Sequence, residues 1–132
     1  MEHHSFPDTT VPPAYGAYSH AVVAGDFVFV SGQIARDPAG DFSGGDVASQ
    51  TTRCIEIVVD ILGRCDLTLA DVVRCTVYLA DINDFPAMNT VFADAFGAKL
   101  PARSTPQVQM PFGAKVGLEV TAFRGSRDVA PL

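Results

Sequence analysis

Two charged side chains in this sequence have settings from which chemistry could be built. Arg103 lies in "KLPARSTPQ", Lys99 to Gln107, fenced by Pro101 and Pro106 and followed by the hydroxyls of Ser104 and Thr105. Proline fixes its own φ and keeps its predecessor extended, so the guanidinium is offered from a stiff segment that should enter a strand directly. A planar guanidinium fork suits bidentate capture of a carboxylate. The hydroxyl and backbone N–H groups of Ser104 and Thr105 could complete such an anion pocket. The competing reading is a surface cation that ends a loop. Glu119 belongs to "KVGLEVTAFRG", where Val116, Leu118, Val120 and Ala122 alternate with Gly117, Glu119, Thr121 and Phe123. On a strand, that alternation sends the carboxylate to the face opposite the aliphatics. An acid turned into an interface is costly unless paired or employed, whereas on a solvated face it is an ordinary strand glutamate.

Other combinations of reactive side chains are poorer. Ser19 and His20 are adjacent in an expected strand, so they face opposite ways and do not form a nucleophile–base pair. "DINDF" resembles half of a calcium loop, but Asp84 as a helix N-cap explains it more simply. His3 and His4 sit side by side in a polar opening segment. Cys54, Cys65 and Cys75 fall in apolar periodic stretches. Cys54 and Cys65, expected on one helix, would lie about 16 Å apart at 1.5 Å per residue, too far to bridge. They read as buried free thiols, and no metal site is expected from their spacing. Dinucleotide, Walker and metalloprotease signatures are missing.

Composition limits the partners. The chain has 132 residues and 48% apolar content, enough for one domain with a proper core. No apolar run is long enough to span a membrane, and no signal-peptide pattern opens the sequence, so a cytoplasmic protein is expected. The net charge of −6 disfavours a nucleic-acid partner. It does not disfavour a small anion held in one local cationic pocket.

The elements that must position these groups follow from periodicity. Residues 1–10 read as a flexible arm or a short edge segment, 11–126 as the domain, and 127–132 as a tail. Val22-Val23 and Phe27–Val30, separated by "AGD", read as a hairpin. "DPAGDFSGG" is loop. Apolar residues from Val47 to Cys65 recur at helical spacing behind Asp46 as N-cap, with Gly63 near the end. "VVRCTVYLAD" alternates as a strand. "DFPAMNTVFADAF" reads as a second helix, followed by strands near Thr105–Met110 and Val116–Phe123. The result is an α+β domain with a mixed sheet and both helices on one face. Because Phe27 to Val30 is apolar on both alternating faces, the uncovered face calls for another copy of the chain.

The segments "VSGQIARDPAG", "CTVYLADINDFPAMN", "LPARSTPQV" and "GLEVTAF" resemble, in order and spacing, the RidA/YjgF family of enamine/imine deaminases, over roughly Val11 to Arg124. The resemblance implies a chorismate-mutase-like α+β domain that assembles as a homotrimer with clefts between subunits. It implies hydrolysis of reactive enamines and imines of the 2-aminoacrylate and 2-aminocrotonate class to 2-keto acids and ammonia, with neither cofactor nor metal. By the same likeness Arg103 matches the arginine that binds the substrate carboxylate. Glu119 matches the glutamate associated with the attacking water, and Tyr18, in "GAYSHA", the cleft tyrosine. Gly32, Asn89 and Thr105 fall at other cleft positions. Ala17 and His20 replace the usual proline and glutamine, and Thr105 stands where many relatives carry cysteine, so His20 is expected to alter the cleft rim. A non-catalytic regulator or chaperone-like protein that binds small carboxylates in the same cleft is the alternative. RNA cleavage, suggested for some members, sits poorly with the acidic composition.

Overall fold

Where turn chemistry and alternation coincide, the chain folds as its sequence dictates. In the computed structural model, which describes residues 1–6 and 10–125, the order is β1 (Glu2–His4), β2 (Ala21–Ala24), β3 (Phe27–Ile34), α1 (Val47–Gly63), β4 (Val72–Leu79), α2 (Phe85–Phe96), β5 (Ala102–Ser104) and β6 (Val116–Phe123). The strands form one mixed sheet in the order β1-β2-β3-β6-β4-β5, with β4 and β5 parallel and the other neighbours antiparallel. The β2–β3 hairpin closes through Gly25, whose φ of 59° is the left-handed conformation that glycine adopts freely. Both helices pack on one side of the sheet. There Val28, Val30, Val77, Leu118 and Val120 meet Ile57, Ile61 and Met88.

Helix α1 begins as expected, with Asp46 Oδ1 accepting the Ser49 N–H at 2.8 Å. That hydrogen bond holds the Asp46 carboxyl below its usual pKa. The helix ends at Gly63, so Cys65 is not on it. The Cys65 and Leu67 N–H groups both return to the Leu62 carbonyl, and Asp66 takes a φ of 59°. This tight reversal stops the helix before the apolar pattern stops.

Two further expectations are corrected. Asp84 makes no side-chain cap for α2; the capping carboxylate is Asp81, which accepts the Asn83 N–H at 2.9 Å and starts a short 3-10 turn that leads into the helix. The strand expected over Thr105–Met110 lies upstream, as β5. Pro106 has no N–H to give a ladder. Beyond Ser104 the pairing continues through the Pro106 carbonyl, which accepts the Leu79 N–H at 3.0 Å, and the Val108 N–H, which donates to the Leu79 carbonyl at 2.9 Å. Of the two readings of the opening segment, Glu2–His4 takes the short edge segment and pairs with β2. The tail expected at 127–132 lies outside the described residues.

His20 also departs from expectation. It is 2% exposed, so it does not line a cleft rim. Its Nδ1 accepts the Phe6 N–H at 3.0 Å, and Nε2 lies 2.8 Å from the Pro12 carbonyl. With Nδ1 accepting, Nε2 carries the proton and donates to Pro12. The imidazole thereby ties both sides of the N-terminal segment to the start of β2.

Candidate active site

Strand alternation divides the chemistry between the two faces of the sheet. On β6, Val116, Leu118, Val120 and Ala122 are buried under the helices, while Glu119, Thr121 and Phe123 look the other way and are half-buried. On β4 the same uncovered face carries Arg74, Thr76 and Tyr78. On β3 it carries Phe27 and Phe29, 43% and 46% exposed. An exposed aromatic pair beside a carboxylate is not what a sheet face left bare in water usually carries.

Glu119 opens onto a cavity of about 360 Å3 with Tyr15, Tyr18, Ser31 and Gly32. A break in the β3–β6 register between Val30 and Gln33 creates this corner, and Gly32 sits inside it. No atom lies within 4 Å of where a Gly32 side chain would begin, so its backbone is open to a ligand. The Tyr15 N–H donates to the Tyr18 hydroxyl at 3.3 Å, and the two rings meet edge to face. The Tyr78 hydroxyl donates to Glu119 Oε1 at 2.7 Å. That bond, more than burial, pushes the Tyr78 phenol above its ordinary pKa.

Arg103 sits elsewhere. In the parallel β4–β5 pair its backbone partner is Cys75, which faces the helices, so the Arg103 side chain turns toward α2. Its guanidinium carbon lies 5.2 Å from the Phe85 ring centre and 4.7 Å from that of Phe92. Aromatic faces attract a cation without consuming its N–H donors. Among the described residues none hydrogen-bonds or ion-pairs with this guanidinium. It borders a cavity of about 320 Å3 with Asn89, Phe92, Ala93, Leu100 and Pro101. Its neighbour Ser104 faces the opposite side and accepts from Arg74 Nη2 at 2.8 Å.

One chain therefore gathers Tyr18, Gly32 and Glu119 around one cavity, and Arg103 with Asn89 around another. Thr105, partly buried just beyond β5, lines neither. Ser19 and His20 form no nucleophilic pair, since the Ser31 hydroxyl donates to the Ser19 carbonyl and His20 is taken by Phe6 and Pro12. The cysteines are free. Burial pushes the thiols of Cys54 and Cys75 up to about 12, which keeps them protonated and unreactive. Tyr78 is the residue that sequence reasoning passed over. Its signal was present, because β4 alternation puts it on the same face as Arg74 and Thr76.

Fold and site together define a class: an α+β domain with helices on one face of a mixed sheet and polar groups gathered on the other face and at its edge. A family model described as Endoribonuclease L-PSP matches residues 9–124. A RutC family protein of Pyrococcus abyssi is 42% identical over 115 residues, 86% of this chain and 91% of its own. The 2-iminobutanoate/2-iminopropanoate deaminase of Rattus norvegicus is 38% identical over 123 residues, 92% of this chain and 90% of its own. Among solved structures, E. coli TdcF with bound serine superposes with a TM-score of 0.84 at 34% identity, covering 93% of this chain and 99% of that one. The chain belongs to this family, the RidA/YjgF family.

Proposed function

We propose that this protein hydrolyses small enamines and imines of the 2-aminoacrylate and 2-aminocrotonate class to 2-keto acids and ammonia. The observation that carries the proposal is the Arg103 guanidinium, held between two aromatic rings with its donors unspent on any described carboxylate. A substrate carboxylate matches this guanidinium fork in charge and in geometry. Relatives named as imine deaminases support the reaction type.

In this reading Arg103 clamps the carboxylate and Glu119 directs water. Glu119 takes a proton from the water as its oxygen bonds to the imine carbon and the C=N π electrons move to nitrogen. Returning that proton to nitrogen gives a carbinolamine. The hydroxyl proton then passes through the same carboxylate to nitrogen, the C–N bond breaks, and ammonia leaves as the keto carbonyl forms. Tyr18, Gly32, Asn89 and Thr105 would line the bound substrate. Because the Arg103 and Glu119 cavities are separate in one chain, the reading also requires assembly. A homotrimer in which the β5 edge of one chain borders the uncovered sheet face of the next would join them into a cleft between subunits. The three free thiols suit the reducing cytoplasm, where such a protein would work.

The test couples the protein to a serine or threonine dehydratase and follows keto-acid formation. Wild type should accelerate it. Arg103→Lys should lose about 10- to 100-fold in kcat/KM, the worth of one charge-assisted hydrogen bond of roughly 1.5–3 kcal/mol. No acceleration with any small amino-acid-derived enamine would remove the deaminase reading. The serine bound to E. coli TdcF favours one second reading, a cleft that binds small carboxylates without turnover. Binding of 2-ketobutyrate with no catalysis would select it.

A further inference from the structure

We infer that Tyr78 is a positioning residue for Glu119, holding one carboxylate oxygen so that the other faces the water. The inference rests on the deaminase reading for the role of Glu119, and on geometry for the rest. The β4–β6 register pairs Thr76 with Glu119 and Tyr78 with Gly117. Tyr78 is therefore the diagonal neighbour of Glu119 on the same face, a separation that a long aromatic side chain spans. Opposite it, Gly117 contributes no side chain to block that reach.

Tyr78 borders an apolar cavity of about 240 Å3 with Val108 and Met110. Its hydroxyl donates to Glu119 Oε1 at 2.7 Å. The β4–β6 register places the donor, and the donor holds the acid. A carboxylate has about four acceptor sites. Tyr78 occupies one, and among the described residues nothing else hydrogen-bonds to Glu119. Oε2 is thus left for a water, and the carboxylate plane is set by Tyr78. Without that donor the glutamate would turn freely about three side-chain torsions on a half-solvated face, and the water would lose its orientation.

The experiment uses Tyr78→Phe in the full chain. The variant keeps the ring and removes the donor, so kcat should fall about tenfold while KM stays within about twofold. Melting temperature and oligomeric state should not move. A second readout needs no turnover. The chain has three tyrosines, Tyr15, Tyr18 and Tyr78. Ultraviolet titration of wild type, compared with Tyr78→Phe, should show the Tyr78 phenol ionising above its ordinary range, and Glu119→Gln should bring it down. Wild-type kcat in Tyr78→Phe overturns the inference, as does a tyrosine titration indifferent to Glu119→Gln. If wild type itself turns over no enamine, the deaminase reading fails on its own, and the titration still decides whether Tyr78 holds Glu119.

Discussion

Cys75 is where the charges of the two cavities meet. Burial is the main force raising its thiol, with Arg103 pulling down and Glu119 pushing up. Cys54, fully buried on α1, is raised by burial against the opposing charge of Arg53 and a backbone hydrogen bond. Both reach about 12 from an ordinary 9.0. An unfolded chain would release these protons above pH 9 while the native state keeps them. Stability is therefore full below pH 9 and is lost as pH rises toward 12. The loss is about 1.4 kcal/mol per pH unit per thiol. Urea unfolding at pH 8 and pH 10 should show a larger fall for wild type than for a Cys54→Ala/Cys75→Val double variant. An equal fall in both would show that the thiols are not the groups responsible.

At the scale of elements, β6 carries the most information, and Gly117 is its tightest point. A side chain begun there would meet Met110 Cε at 2.9 Å, the Gln33 carbonyl at 3.2 Å and Ile34 Cγ2 at 3.3 Å. Met110 can swing away, but the Gln33 backbone cannot. Gly117→Val should destabilise by about 1–3 kcal/mol, read as a lowered melting temperature, and should disturb the Tyr78 side chain opposite. This strand was also the most legible in sequence, since period-two alternation specifies a face with no knowledge of partners. The same holds for the hairpin at Gly25 and the cap at Asp46. What escaped depended on contacts distant in sequence. The face of Arg103 is set by its parallel register against Cys75, and a three-residue strand carries no pattern from which to read that register. Arg103 and Glu119 could therefore be named separately, but not assigned to separate cavities. His20 is hidden by Phe6 and Pro12, partners that no local rule supplies. Period-two alternation of β4 puts Tyr78 on the face of Arg74 and Thr76, yet its bond to Glu119 needs the β4–β6 register.

For the whole molecule the two sheet faces are unequal. One is sealed by both helices; the other exposes Phe27 and Phe29, with Phe27 packed against Phe123 at 5.1 Å between ring centres. If copies assemble through this face, as the proposed function requires, Phe29→Glu should place charges in the contact and release single chains. Light scattering behind size exclusion should then report one chain mass in place of three, with dehydratase-coupled activity lost in parallel. Unchanged mass would put the contact elsewhere. The strand order has a consequence of another kind. β6 follows every other described strand in sequence, yet it lies between β3 and β4. A ribosome adding roughly 5–20 residues per second would take about 4–18 s to pass from the end of β3 to the end of β6. β3 presents a raw edge to the cell throughout that interval, and β4 does so from its own completion at Leu79 onward. The order in which the strands are translated thus gives every nascent copy a period in which mispairing competes with closure, and nothing in the mature sheet records it.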